Sequence, residues 1–129
     1  MVIYVDSSVL LAELFSEARS PRETLWDENL ISSRLLAYEV WARINARGLQ
    51  TSHGERARGL LARVSLTEMT EAVLERAIEP YPVAVRTLDA LHLATMAYQR
   101  EQSEAVELAS YDRRLVAAAT TLGIPLAAL

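Results

Sequence analysis

Residues 2–15 read VIYVDSSVLLAELF. Val2 to Val5 are β-branched or aromatic and almost wholly apolar, which predicts a buried strand of a parallel sheet. Asp6 ends the run, and Ser7 and Ser8 can cap a helix at this point. Ser8 to Phe15 then reads as that short helix.

The alternation continues outward from this start. Ser20-Pro21 predicts a cap followed by proline at the first helical position, opening a helix to about Asp27. Leu30 to Ser32 predicts a second short strand. In Leu35 to Arg47, Leu35, Leu36, Val40, Trp41 and Ile44 recur at helical spacing, with Gly48 ending the helix. Ser52 to Arg63 reads as another helix, with Ser52 and Glu55 spaced as a capping box. Val64 to Met69 alternates like a strand. Thr70 to Ile78 reads as helical, stopped by Pro80 and Pro82. Leu88 to Gln99 is a strong helix, Val106 to Ser110 a strand, and Asp112 to Leu122 a last helix closed by Gly123. Pro125 to Leu129 is placed as an added edge strand. Strands alternating with helices predict an α/β fold, a parallel sheet covered on both faces. No repeat, low-complexity tract or linker divides residues 1–129, so a single domain is expected.

Composition bounds the chemistry. The chain has 129 residues, 51% hydrophobic and 23% charged, enough for one domain with a substantial core. No apolar run approaches the roughly 20 residues of a membrane span. The start carries an acid where a signal peptide carries basic residues, so a cytoplasmic protein is expected. There is no cysteine, which excludes disulfides, thiolate metal sites and cysteine nucleophiles. All 13 basic residues are arginine, so a P-loop lysine and a Schiff base are excluded as well. The net charge of −4 disfavours non-specific coating of nucleic acid. An acidic protein can still act on nucleic acid when bound cations supply the missing charge.

Of 17 acids only four are aspartates, namely Asp6, Asp27, Asp89 and Asp112. Aspartate is a poor helix former, so each asks for a local reason. Asp6, Asp89 and Asp112 all fall where strands hand over to helices, and in an open parallel sheet function collects at the carboxyl ends of strands. Helix capping accounts for each one singly. Glu39 adds a carboxylate among the apolar neighbours Tyr38, Val40 and Trp41. It either pairs with Arg43 one turn on or joins the aspartates around a cation. Four converging carboxylates repel unless a hard cation such as Mg²⁺ or Mn²⁺ offsets their charge. Such a site suits metal-assisted hydrolysis of a phosphodiester.

The order Asp6-Ser7-Ser8, Tyr38-Glu39-Val40, Thr87-Leu88-Asp89-Ala90-Leu91-His92-Leu93-Ala94 and Ser110-Tyr111-Asp112-Arg113-Arg114-Leu115 resembles the PIN domain, in particular the VapC-type toxins of toxin–antitoxin modules. The likeness spans essentially the whole chain. It implies a PIN-like three-layer sandwich with a central parallel β-sheet flanked by helices, often a homodimer. The implied activity is a Mg²⁺- or Mn²⁺-dependent endoribonuclease leaving a 5′-phosphate and a 3′-hydroxyl. By position, Asp6, Glu39, Asp89 and Asp112 become the catalytic and metal-binding acids, with Asp6 and Asp89 the firmest ligands. Ser7 and Ser110 match hydroxyls that brace the site. Arg86, Arg113 and Arg114 flank the motifs and can hold RNA phosphates. His92, three residues beyond Asp89, is expected as a packed histidine that can approach the site.

One departure stands out. Some relatives carry a further acid or asparagine after the last aspartate, where this chain has Arg113, Arg114 and Leu115. That weakens a second ion's site, and the ion count stays open. The likeness also implies an antitoxin partner that places a basic residue in the acidic pocket. Tyr38, Trp41 and a half-exposed Trp26 are candidates for core or for a partner surface. The rival readings are a nuclease of RNA maturation without an antitoxin, a non-catalytic interaction module, and a phosphoryl-receiver or phosphatase domain. The absence of lysine and of a second acid beside Asp6 counts against the last.

Overall fold

The computed structural model describes residues 1–102 and 105–129. Four strands, β1 (Val2–Val5), β2 (Leu30–Ser33), β3 (Val64–Thr67) and β4 (Val106–Ala109), form one parallel sheet in the order β3-β2-β1-β4. Pleating sends alternate β1 side chains to opposite faces. Ile3 and Val5 face one core, Val2 and Tyr4 the other. Against the first lie α1 (Ser7–Leu14), α2 (Leu35–Ala46) and α3 (Gln50–Leu61), which bury Leu10, Leu36, Val40, Ile44 and Ala57. After β3 come α4 (Glu71–Ala77) and α5 (Thr87–Glu101), and after β4 comes α6 (Arg113–Thr121). Helices α5 and α6 cover the second face with Leu93, Met96, Leu115, Ala118 and Ala119. The result is the three-layer α/β sandwich that the sequence predicts.

Strand order places the site. The chain steps outward from β1 to β2 to β3, then returns to set β4 on the other side of β1. Strand order therefore reverses between β1 and β4, and their carboxyl ends flank a crevice. The two strands pair in register from Val2↔Val106 to Val5↔Ala109. The ladder continues one step further, as the Asp6 N–H donates to the Ala109 carbonyl at 3.0 Å.

Several local expectations are corrected. Ser20-Pro21 opens no helix. The Ser20 hydroxyl donates back to the Glu17 carbonyl at 2.8 Å, and only a short 3₁₀ helix forms over Glu23–Asp27. That turn inserts Leu25 and Trp26 into the first core, so Trp26 is buried, not half exposed. Helix α3 begins at Gln50, two residues before the expected cap. Gly48, at φ +65°, turns the chain so that Leu49 leads straight into the helix. Ser52 therefore lies inside the first turn, where its hydroxyl faces the Leu49 carbonyl and His53 Nδ1, and no capping box forms. Asp6 itself, not a serine, is the N-cap of α1. The C-terminal segment forms a single bridge, Leu108↔Leu126, instead of an edge strand. Among the described residues no helix is long and apolar enough to cross a membrane.

Thr70 caps α4, its hydroxyl accepting the Val73 N–H. Thr70→Ala is expected to cost about 1 kcal/mol in urea denaturation, the value of a lost cap. Ser52→Ala should stay within about 0.5 kcal/mol of the parent. Equal losses would restore the capping box to Ser52.

Candidate active site

A cleft of about 980 Å³ opens at the carboxyl ends of β1 and β4. Asp6, Glu39, Asp89 and Asp112 all line it, so the structure brings the four expected acids to one place. Each arrives by a different local route.

Asp6 is the buried member. Its Oδ2 accepts the Ser8 hydroxyl at 2.7 Å, the Ser110 hydroxyl at 2.9 Å and, more weakly, the Ser8 N–H at 3.4 Å. The serines are fixed in turn. Ser8 Oγ accepts the Tyr111 N–H and Ser110 Oγ accepts the Asp112 N–H, both at 2.9 Å. Two hydroxyls thus stitch the loop after β4 to the carboxylate after β1. Among the described residues no donor reaches Asp6 Oδ1, which leaves that oxygen for a ligand.

Asp112 is the N-cap of α6. Its Oδ1 accepts the Arg114 N–H at 2.9 Å and the Leu115 N–H at 3.3 Å. Capping uses only that oxygen. Asp89 sits in the first turn of α5, three residues after the N-cap Arg86. There its carboxylate lies among the free N–H groups at the helix start. Burial raises the Asp89 pKa above the ordinary carboxylate value, and the charges of Asp112 and Asp6 raise it further, while Arg114 and the Arg86 N–H pull it down.

Glu39 projects from α2 and does not pair with Arg43. Its Oε1 lies 2.6 Å from His92 Nε2, and its Oε2 accepts the Ser7 hydroxyl at 3.4 Å. His92 is only 2% exposed, and its other nitrogen, Nδ1, is 2.6 Å from the Tyr4 hydroxyl. The hydroxyl also accepts the Ser33 N–H at 3.2 Å. His92 is therefore both packed and part of the site. Burial alone would lower its pKa, but the Glu39 hydrogen bond and the charges of Glu39, Asp6 and Asp89 outweigh burial and raise it. Burial drives the Tyr4 pKa far above its usual 10, so Tyr4 keeps its proton.

Arg86 and Arg114 line the cleft as expected, but Arg113 does not. Arg113 begins α6 one residue beyond the cap, and the cleft wall is formed by its neighbours Asp112 and Arg114. Arg19 and Arg43 complete the basic lining, and no motif in the sequence singles them out. Arg19 stacks over the Tyr111 ring, 4.5 Å from its centroid. Ser8 braces the site as well, a role that sequence reasoning misses by treating it as a cap alone. The available signal is its position two residues after Asp6, within reach of that carboxylate.

The donor set suits a hard divalent cation, being oxygen-rich and carrying unbonded carboxylate oxygens. Among the described residues no three acids or histidines are already gathered tightly enough to enclose an ion. The acids line a shared cleft without forming a closed cage.

A parallel sheet with an acidic cleft at its switch point is a ligand-binding arrangement, and the PIN-domain family model matches residues 3–121. The chain belongs to the PIN-domain family. It is 33% identical to Ribonuclease VapC47 of Mycobacterium tuberculosis (strain CDC 1551 / Oshkosh) over 95% of this chain and 93% of that protein. It is 36% identical to Ribonuclease VapC46 of Mycobacterium tuberculosis (strain ATCC 25618 / H37Rv), again over 95% and 93%.

A carboxylate with a raised native pKa destabilises the fold when ionised. Asp89→Asn is therefore expected to raise the melting temperature of the metal-free protein at pH 7, by about 1–3 °C for so open a group. The wild type recovers this deficit as pH falls through the raised Asp89 pKa, so the two melting curves converge on acidification. A lower melting point for Asp89→Asn at pH 7 would show that Asp89 acts chiefly as a helix cap.

Proposed function

We propose that this PIN domain is an endoribonuclease, the toxin of a toxin–antitoxin pair, acting by hydrolysis of RNA phosphodiesters. The observation that carries the reading is the meeting of Asp6, Glu39, Asp89 and Asp112 in one cleft at the sheet's switch point. Similarity to two proteins named as VapC ribonucleases supports the RNA substrate and the toxin role. Cleavage of RNA needed for translation, release of a 5′-phosphate and 3′-hydroxyl, and silencing by a cognate antitoxin belong to the same proposal. So do a cytoplasmic location and assembly as a homodimer.

Asp6, Asp89, Asp112 and Glu39 would hold Mg²⁺ or Mn²⁺. Bound there, the ion supplies positive charge at the phosphodiester and makes water a better nucleophile near neutral pH. The chain's own residues set the geometry. Ser8 and Ser110 hold Asp6 by one oxygen and present the other. The α6 cap does the same for Asp112. Arg86 and Arg114, both lining the cleft, offer guanidinium groups to the RNA phosphates.

The test incubates purified chain, freed of any co-purifying partner, with labelled total RNA in Mg²⁺, Mn²⁺ or EDTA. Discrete cleavage is expected with metal and none in EDTA. Asp6→Asn and Asp89→Asn should each lose on the order of 100-fold or more, since each removes charge stabilisation worth several kcal/mol. Metal-independent cleavage, or full activity in either variant, would overturn the assignment. Absence of both metal binding and cleavage would favour the non-catalytic interaction module.

The arginines separate by position. Arg114→Ala is expected to weaken RNA binding and to flatten its dependence on log salt by about 0.7, the single-strand value for one phosphate contact. Arg113→Ala, outside the cleft, should leave both unchanged. Titrations at several salt concentrations decide it.

A further inference from the structure

We propose that His92 is a positioning residue for Glu39, with Tyr4 pinning the far edge of the imidazole, so that α5 sets the direction of a carboxylate carried by α2. The proposal rests on the nuclease reading of the cleft. Its structural basis is the continuous line Ser33 N–H, Tyr4 hydroxyl, His92 Nδ1, His92 Nε2, Glu39 Oε1, with spacings of 3.2, 2.6 and 2.6 Å across its three hydrogen bonds.

Each link constrains the next. An ionised Glu39 can only accept, so His92 Nε2 carries the hydrogen between them in either charge state of the ring. In the neutral ring Nδ1 is an acceptor, and the Tyr4 hydroxyl is the donor beside it. Tyr4 is wholly buried in β1, the middle of the sheet's β2-β1-β4 run, and His92 is a buried residue of α5. Their rings meet edge to face at 82°, with centroids 5.8 Å apart. Neither ring can swing without opening the core.

Glu39 has no comparable anchor of its own. It stands on a helix face between exposed Tyr38 and buried Val40, and its second oxygen meets only the Ser7 hydroxyl, at 3.4 Å, among the described residues. With His92 holding Oε1, Oε2 is the oxygen left beside Ser7 at the cleft. Without His92 the side chain regains its rotamer freedom and the carboxylate is no longer presented in one orientation. The role is thus distinct from bulk packing: a ring of equal size without a donor nitrogen fills the core but frees Glu39.

The variants separate donor from volume. His92→Phe keeps a ring and removes the donor. His92→Gln places an amide N–H near the Nε2 position, and Tyr4→Phe removes the pin while leaving β1 packed. His92→Phe is expected to lower kcat about 10–100-fold with KM little changed, the usual effect of losing a group that orients a ligand. His92→Gln should recover most of that loss, and Tyr4→Phe should fall between. In a Glu39→Gln background, His92→Phe should add little further loss, because both changes strike one interaction.

A second readout does not depend on cleavage. In metal-free protein, ¹⁵N NMR should find a protected, downfield His92 Nε2–H that becomes fast-exchanging in Glu39→Ala. Mn²⁺ titration by calorimetry should find His92→Phe weaker by about tenfold. If the wild type cleaves no RNA, the nuclease reading fails, while these two measurements still judge the positioning role. Should His92→Phe fail to fold, His92→Gln and Tyr4→Phe carry the comparison. The proposal is overturned by a folded His92→Phe with wild-type kcat and Mn²⁺ affinity, by His92→Gln and Tyr4→Phe losing equally, by purely additive losses with Glu39→Gln, or by an unprotected Nε2–H.

Discussion

One carboxylate oxygen holds the cleft together. Asp6 Oδ2 collects two serine hydroxyls, one from the helix after β1 and one from the loop after β4. The same residue extends the β1–β4 ladder through its backbone and caps α1. These bonds fix the place in the sheet where strand order reverses, so the crevice has a defined floor. Asp112 depends on it directly, because its N–H is held by Ser110, which is held by Asp6. An alanine at position 6 would free both serine hydroxyls and the α1 cap at once, leaving only the backbone ladder bond.

Capping and catalysis are often weighed as rival explanations for an aspartate at a helix start. Here one arrangement accommodates both. A carboxylate has two oxygens, and a cap uses one. Asp6 and Asp112 each commit one oxygen to hydrogen bonds at a helix N-terminus and leave the other without a donor among the described residues. Asp89 lies in the first turn of α5. The N-termini of α1, α5 and α6 thus converge on the cleft, and their partial positive charge offsets part of the repulsion among the acids. Burial first, and then the neighbouring charges of Asp112 and Asp6, still raise the Asp89 pKa.

Much of this is legible in the sequence because it rests on periodicity and on residue type at element ends. The run Val2–Val5, the spacing in Leu35–Ile44 and the glycines at 48 and 123 each carry a local signal, and each element forms. Expectation and structure part where tertiary packing decides the outcome. Ser20-Pro21 has the chemistry of a helix start, yet burying Leu25 and Trp26 against α1–α3 requires only a 3₁₀ turn. Ser52 and Glu55 have the spacing of a capping box, but the turn at Gly48 starts the helix earlier. The four acids can be found one by one. The pairing of Glu39 with His92 cannot, because the alternative, Arg43, is a sequence neighbour while His92 lies 53 residues away. Tyr4 is hidden by its own apolarity, since its ring belongs to the strand and only its hydroxyl belongs to the site.

The charge pattern of the cleft explains how an acidic chain can handle RNA. The centre is negative, with Asp6, Glu39, Asp89 and Asp112, and the lining also carries Arg19, Arg43, Arg86 and Arg114. A phosphate is drawn to those arginines but repelled by the acids, so on the proposed function the metal-free cleft would disfavour a phosphodiester at its centre. A cation among the acids would reverse that local sign and open the centre to the phosphodiester. A basic side chain inserted into the same place satisfies the acids equally well and supplies no water-activating ion. Under the proposed function, metal and an inserted cationic residue would compete for the same carboxylates, so the arrangement that suits hydrolysis would also make the cleft simple to silence.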